Sequence, residues 1–554
     1  MAAAPDIDAL QQRVHRWIED DPDPASRAEL AALLDQLPAS AAELADRFSG
    51  PLTFGTAGLR GRLRAGPNGM NLAVVTQATA GVVAWLARRG ARGPVVIGYD
   101  ARHGSRAFAE RAAQVASGAG REALLLPRPL PTPVLAYAVR RLSAAAGVMV
   151  TASHNPPHDN GYKVYLGPQL GGDRGAGAQI APPADAEIAA AMSAVGPLSQ
   201  VPLGDLGAPL GEGIVTEYVD RVAAIVPREG PRDLTVAYTP LHGVGATVLT
   251  AVFTRAGFPA PAVVPEQAEP DPDFPTVDFP NPEEPGAMDR VIALAEKLGA
   301  DVAIANDPDA DRCALAVPVP GRGWRVLRGD ELGVLLADHL MRRGVSGLYV
   351  TTIVSSTLLR ALCAARGLPY AETLTGFKWI VRATAGPAPL AFGYEEALGY
   401  CVAPDLVRDK DGISAALLAA DLVARLKAEG RRLTDRLDEL AREFGVYATD
   451  QLAVRVDHLA EIETIMRRLR AKPPRTLLDE PVTSVEDLSP EADVIILRTD
   501  TARAVVRPSG TEPKLKAYLE IVEPVVGDEV AEARERAAAS LVALRTELAA
   551  ALGV

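Results

Sequence analysis

Three times along the chain a short apolar run ends in a polar turn and gives way to an amphipathic stretch. This recurrence limits the architecture more than any other feature. PVVIGYD (94–100) reads as a buried strand, and SRAFAERAAQVASGAG after it as a helix. REALLLP, the helix-like PTPVLAYAVRRL and the strand AAAGVMV (144–150) follow. The theme restarts at LTVAYTP (234–240), where GATVLTAVFTRAG and GAMDRVIALAEKLGA (286–300) are helices and DVAIAND is a strand. It restarts again after VPVPGRG (317–323), through GDELGVLLADHLMRRG, GLYVTTIV, STLLRALCAARG and PLAFGYEE. The alternation predicts three α/β domains with mixed, mostly parallel sheets. In the last part of the chain, DVIILRTD, ARAVVRPSG and KLKAYLEIVE read as successive strands closed by the long helix GDEVAEARERAAASLVALRTELAAAL, a smaller α+β domain. The expected boundaries are 1–205, 206–320, 321–440 and 441–554. A chain of 554 residues exceeds one core, in keeping with several domains.

Charge and cysteine usage narrow the function classes. The net charge of −13 argues against a nucleic-acid or anionic-membrane partner, so arginines and lysines inside motifs become informative. The three cysteines, Cys313, Cys363 and Cys401, are odd in number, far apart and not in metal-ligand spacing, which predicts a reducing cytoplasm. No apolar run is long enough for a membrane span, and the acid-bearing N-terminus is neither signal peptide nor anchor. The first 45 or so residues read as amphipathic helix that packs within the chain.

Six motifs carry the chemistry. In TASHNPPHDNGYKVY (151–165), Ser153 follows a strand end on a loop stiffened by Pro156 and Pro157 and turned at Asn160-Gly161. His154 and Lys163 can supply positive charge or proton transfer to it, or brace the loop. In NDPDADR (306–312), Asp307, Asp309 and Asp311 alternate after a strand. Extended backbone would turn them to one side, where three anions call for a divalent cation. Oxygen-only ligands favour Mg2+, and an EF-hand fails because Arg312 and Pro318 stand where it needs Gly and Glu. Arg312 suits a phosphate oxygen beside the metal. RPSGTEPKLK (507–516) has the composition of a phosphate nest: Gly510 turns the backbone N–H groups to one point, Ser509 and Thr511 add hydroxyls, and Arg507 and Lys514 add charge. Its competing reading is an ordinary hairpin turn. GYEEALGYCV (393–402) ends a strand in Glu395 and Glu396, acceptors for sugar hydroxyls, and DKDG (409–412) follows. Lys410 there reads either as a salt-bridged surface residue or as a proton carrier. TLTGFKWI (373–380) offers a glycine turn with Thr375, Gly376 and Lys378, and FGTAGLRG (54–61) sets Arg60 between Gly58 and Gly61. Serine, metal loop, sugar loop and phosphate nest together suit phosphoryl transfer, which is mostly positioning and charge neutralisation.

With these motifs in this order over nearly the whole chain, the sequence resembles the α-D-phosphohexomutase superfamily of phosphoglucomutases and phosphomannomutases. TGFKW with EEALGY is similar to the branch that holds phosphopentomutase-type and bisphosphate-synthase members. The resemblance implies four domains around a central cleft. It makes Ser153 the phosphoserine, and Ser153, Asp307, Asp309 and Asp311 the magnesium ligands. Arg312 becomes the metal-loop arginine, and Arg507, Ser509, Gly510 and Thr511 the phosphate loop. Glu395 becomes a sugar ligand and Lys410 an acid/base candidate. It implies Mg2+ and an activating sugar 1,6-bisphosphate as cofactors, and small-molecule sugar phosphates as partners. The implied activity interconverts sugar 1- and 6-phosphates, or the 1- and 5-phosphates of ribose. Phosphomannomutase or bisphosphate synthase activity are variants within the family. A metal-dependent sugar phosphatase and a sugar-phosphate sensor are the readings from other classes. One position departs from the pattern: Ala397 stands where many members carry a serine hydroxyl, which bears on hexose preference.

Overall fold

The computed structural model of the protein describes residues 6–55, 58–456, 459–509 and 514–554. The chain divides into two compact units, Met1–Leu327 with Ala397–Ala424, and Arg328–Glu396 with Arg425–Val554. The first unit holds two mixed sheets. In one, the strands run in the order Leu59–Arg62, Asp159–Leu166, Ala146–Val150, Val95–Tyr99, Ala123–Leu125 and Ala208–Pro209. The last four are parallel to one another, and the two strands at the other edge are antiparallel. All five residues of Val95–Tyr99 and of Ala146–Val150 are buried, so these central strands are apolar without alternation. The helix Leu72–Arg88 covers this sheet with Val75, Val82 and Leu86, and Asn71 caps its start by accepting from the Val74 N–H. The second sheet runs Gly323–Val326, Ala314–Val319, Val302–Ala305, Val236–Thr239 and Ala262–Val263.

The N-terminal helices Ile7–Asp20, Pro24–Asp35 and Ala41–Arg47 pack within the chain, as their amphipathic pattern implies. Leu10, Val14, Leu30, Leu44 and Phe48 form a small core with Ala65. Arg47 pins the bundle through ion pairs to Glu29 and Glu43.

The second unit carries three parallel strands in the order Tyr370–Thr373, Leu348–Thr352 and Leu390–Glu395. It also carries an antiparallel sheet ordered Val446–Arg455, Lys514–Glu523, Ala502–Pro508, Ile495–Arg498 and Ser484–Asp487. The 23-residue helix Val530–Leu552 closes that sheet through Ala533, Ala537, Leu544 and Leu548. The expected three α/β sheets with a C-terminal α+β region are therefore present. Among the described residues no helix is long and apolar enough to cross a membrane.

Inside the second unit the parallel and antiparallel sheets meet on a small apolar cluster of Ile353, Val354, Ile496, Val505 and Tyr518. Polar groups lock this joint. Arg503 donates to the Ile353 and Ser355 carbonyls and pairs with Glu520, which accepts from the Thr357 N–H and hydroxyl at 2.8 Å each. Asp330, 7% exposed at the start of the helix Gly329–Arg342, accepts from the Ser356 N–H at 2.7 Å and the Tyr394 hydroxyl at 3.0 Å. Burial pushes its carboxyl up to about 7, and the charges of Glu396 and Glu520 add to the effect. The folded state therefore binds a proton here that the unfolded chain releases near pH 4. Stability is full below that pH and is lost as pH rises through 7, at a cost on the order of 4 kcal/mol. Asp330→Asn keeps an acceptor oxygen without the charge. Differential scanning fluorimetry should show a melting temperature at pH 8 raised by at least about 3 °C, with a flatter pH dependence between 4 and 7 than in the unsubstituted protein.

Candidate active site

The strand Ala146–Val150 delivers Ser153 to the carboxyl end of the first sheet, where open α/β sheets place their ligands. Ser153 is 1% exposed and has φ 53, a left-handed backbone that non-glycine residues seldom adopt. Its amide donates to the Thr151 hydroxyl at 2.9 Å. The turn spans 153–158, and Asn160 and Gly161 lie within the strand Asp159–Leu166 instead of turning the loop. Gly161 is needed there for space, since a Cβ would stand 2.6 Å from the Thr151 carbonyl oxygen and 2.7 Å from that of Leu59. Asn160 donates inward, to the His103 carbonyl and the Ser105 hydroxyl.

The metal loop comes from the second sheet. Asp307, Asp309 and Asp311 follow the strand Val302–Ala305, and none of them is solvent-exposed. They converge through a turn, with Ala310 at φ 52, instead of through the expected extended alternation. A turn shortens the span that each carboxylate must cover, and one oxygen from each lies within 4.8 Å of the others. The Ser153 hydroxyl donates to Asp307 Oδ2 at 2.7 Å, which joins the serine loop and the carboxylate cluster directly.

Two lysines reach this cluster from distant parts of the sequence. Lys163 Nζ lies 2.8 Å from Asp309 Oδ2 and 3.2 Å from Asp311 Oδ2, and Lys410 Nζ lies 3.2 Å from Asp311 Oδ2. Lys410 is thus buried, and the surface reading of DKDG falls away. Burial, reinforced by Asp309 and Asp311, pushes the Asp307 carboxyl well above its ordinary range. Burial acts the same way on Asp309 and Asp311, but Lys163 on the first, and Lys410 with Lys163 on the second, hold both below it. Burial would lower Lys163, yet those two carboxylates raise it. Oδ1 of Asp309 and Oδ1 of Asp311 are buried without a hydrogen-bond partner among the described residues. An oxygen-only set with two such atoms fits a hard divalent cation.

Three further predicted residues gather here. His154 Nδ1 stands 3.2 Å from the Ser153 hydroxyl, and burial with the nearby Arg312 and Arg60 charges keeps its imidazole neutral. Arg60, on the strand Leu59–Arg62, donates to Asn155 Oδ1 at 3.1 Å. Arg312 donates its amide to Asp307 Oδ1 and points its guanidinium to Glu283 at 3.5 Å. The other predicted residues belong to the second unit. Glu395 ends the strand Leu390–Glu395, and its neighbour Glu396 accepts from the Ser355 and Thr352 hydroxyls. Thr375 and Gly376, the latter at φ 113, precede the short helix Phe377–Ile380 at the same strand-end edge. Arg507 lies in the strand Ala502–Pro508 and Lys514 opens the strand Lys514–Glu523, and the Ser509 N–H donates to the Lys514 carbonyl at 2.7 Å. Gly510 and Thr511 lie outside the described residues.

Sequence reasoning passed over Arg102, which organises the serine loop. Its guanidinium donates to the carbonyls of Ser153 (2.7 Å), Asn155 (2.5 Å), Pro156 (2.8 Å) and Asp159 (3.2 Å). Asp100 holds it, at 3.4 Å from Nε. The signal was YDARHGS after the strand 94–100, an Asp-x-Arg at a strand end. Thr132 was also missed. Its hydroxyl donates to Asp309 Oδ2 at 2.6 Å and its amide to the Asp309 carbonyl. Removing the Arg102 side chain leaves Asp100 buried without its counter-cation and takes a donor from four carbonyls, of which Pro156 alone is seen to keep another, the Asp159 N–H. Arg102→Ala should therefore cost about 3–5 kcal/mol in urea unfolding. Arg102→Lys should recover only part of this, because one ammonium cannot span four acceptors.

Comparison with known proteins gives the family. Residues 51–196, 216–321 and 328–444 match the models of phosphoglucomutase/phosphomannomutase α/β/α domains I, II and III. A Haemophilus influenzae protein named as a probable phosphomannomutase is 44% identical over 82% of this chain and 93% of its own. A probable phosphoribomutase of Schizosaccharomyces pombe is 33% identical over 92% of this chain and 93% of its own. Among solved structures, a Thermus thermophilus protein described as a phosphomannomutase superposes with a TM-score of 0.69 at 26% identity, over 89% of this chain and 99% of its own. The domains, their order and these relatives place the chain in the phosphoglucomutase/phosphomannomutase family of phosphosugar mutases, within the α-D-phosphohexomutase superfamily.

Proposed function

We propose that the protein moves a phosphoryl group between two hydroxyls of one sugar phosphate, with Ser153 as the carrier. The observation that carries this reading is the buried hydrogen bond from the Ser153 hydroxyl to a three-carboxylate cluster already balanced by two lysines. In the resting enzyme the phosphoryl group sits on the Ser153 oxygen. A sugar hydroxyl attacks the phosphorus, the bond from phosphorus to the serine oxygen breaks, and the hydroxyl proton passes to a nearby base, the neutral His154 imidazole, or Lys410 once its ammonium has given up a proton. The resulting sugar bisphosphate turns end for end and returns its other phosphate to Ser153. Asp307, Asp309, Asp311 and the serine oxygen would hold Mg2+, which when bound offsets the negative charge of the phosphoryl group. Lys163, Arg60 and Arg312 add fixed positive charge around the serine. The substrate's own phosphate falls to the loop of Arg507, Ser509, Gly510, Thr511 and Lys514. The sugar ring falls to Glu395 with Thr375 and Gly376. On this reading the serine, metal, sugar and phosphate loops belong to domains spanning 1–205, 206–320, 321–440 and 441–554.

The substrates are glucose or pentose phosphates, with mannose phosphates the alternative that the Haemophilus relative's name suggests. A sugar 1,6-bisphosphate would prime dephosphorylated enzyme. Three buried free cysteines support a cytoplasmic setting. Ser153→Ala should lower kcat by at least about a thousandfold and abolish the ~80 Da phosphoryl increment in the intact mass of the isolated protein. Near-normal turnover in that variant would overturn the assignment, and net release of inorganic phosphate would mark a phosphatase instead. The kcat/KM ratio for ribose 1-phosphate over glucose 1-phosphate reads the effect of Ala397. A ratio above one identifies the missing hydroxyl as a mark of pentose specificity, and a ratio below one assigns the protein to hexose metabolism.

A further inference from the structure

A second cluster of positive charge lies in the first unit, away from the serine. It lines a cleft of about 520 Å³, inside the range of small-molecule sites. Arg140 and Arg141 reach it from the end of the helix Thr132–Arg141, Arg221 from the helix Gly213–Ala223, and Arg408 from the segment before Lys410. Tyr137 forms part of the wall, and Asp173 and Asp405 are the acidic lining residues. Four guanidiniums around one cleft are unexpected in a chain of net charge −13.

Glu217 beside the cleft, with Asp173 and Asp405 in its lining, sets three carboxylates against the four guanidiniums and leaves positive charge in excess. Arg141 pairs with Glu217. Arg140 and Arg408 both donate to a neutral group, the Pro404 carbonyl. Arg221 makes no hydrogen bond or ion pair among the described residues. Arg140 is disfavoured as a cation by its burial and by the nearby Arg408 charge. Such crowding of guanidiniums is relieved by an anion, and planar forked donors match phosphate oxygens.

We propose that this cleft is a second binding site, for a small metabolite carrying a phosphate group, distinct from the Ser153 centre. The elements that line it also build that centre. The helix Thr132–Arg141 spans about 15 Å, with Thr132 on Asp309 at one end and Arg140 in the cleft at the other. A single residue, Asp409, separates Arg408 from Lys410, which pairs with Asp311. The strand that carries Lys163 runs on into Pro168–Gly175, which adds Pro168, Gly172 and Asp173 to the lining. An occupant therefore touches three segments whose far ends hold the carboxylate cluster.

Hydrogen-exchange mass spectrometry of the full chain tests this, with inorganic phosphate as the probe against chloride at equal ionic strength. Phosphate should slow exchange at least threefold in peptides covering 132–142 and 403–410. Arg221→Glu should remove that protection. Arg221 is exposed on a helix surface, so the variant should keep its melting temperature and its turnover in phosphate-free buffer. Arg408→Gln is the second variant and should also lose the protection. Protection confined to peptides around Ser153 or Arg507 would mean that phosphate occupies the catalytic site alone, and would overturn the proposal. Equal protection in all three proteins, or none in any, would overturn it too.

Discussion

Everything around Ser153 depends on how three carboxylates with no solvent exposure are kept from repelling one another. Taking one isolated carboxylate out of water costs several kcal/mol, and three together are untenable without compensation. Lys163 and Lys410 supply it, from a strand of the first sheet and from a segment far along the chain. The metal loop itself belongs to the second sheet. The cluster thus ties together three stretches of sequence that share no local contact. The first unit gains its specific assembly from that electrostatic requirement as well as from apolar burial. Arg102 works on the same principle one layer further out. It gathers four loop carbonyls into a rigid mount for Ser153.

Much of this was legible in the sequence, for identifiable reasons. Central strands such as Val95–Tyr99 and Ala146–Val150 are continuous apolar runs bounded by turn residues, and burial on both faces demands that composition. The Asp-x-Asp-x-Asp spacing marked the metal loop because so much charge in a short span calls for a cation. The geometry behind that spacing was not legible. A turn at Ala310, instead of extended backbone, brings the carboxylates together, and nothing in alanine's chemistry announces a left-handed φ. Asn160-Gly161 misled in the opposite way. The pair is a strong turn signal, yet here the glycine is required by two carbonyls pressing on one strand position, and the asparagine serves as a buried donor. Lys410 looked like a surface residue because its flanking aspartates read as solvent partners. Its nearer counter-charge is Asp311, about a hundred residues earlier, with the flanking Asp409 at 3.8 Å, and no local pattern carries the first of these.

The second unit shows a different use of buried charge. Arg503, Glu520 and Asp330 lie where its two sheets meet, and they fasten backbone groups at the ends of parallel strands. Glu396 is drawn into the same region by the Ser355 and Thr352 hydroxyls. Two adjacent glutamates, indistinguishable in sequence, therefore have separate surroundings: Glu396 is tied to the sheet end that the joint stabilises, and Glu395 closes the strand beside it. The orientation of the sugar-loop candidates is inherited from the packing of this joint.

The left-handed backbone at Ser153 also decides which hydroxyl residue this loop can carry. Threonine offers the same hydroxyl. But a β-branched side chain at φ 53 would press its extra methyl against its own backbone, in a region that such residues avoid. The position is 1% exposed, so no movement toward solvent could relieve the clash. Serine is the hydroxyl residue that fits, and the choice is made by main-chain geometry before any chemistry begins.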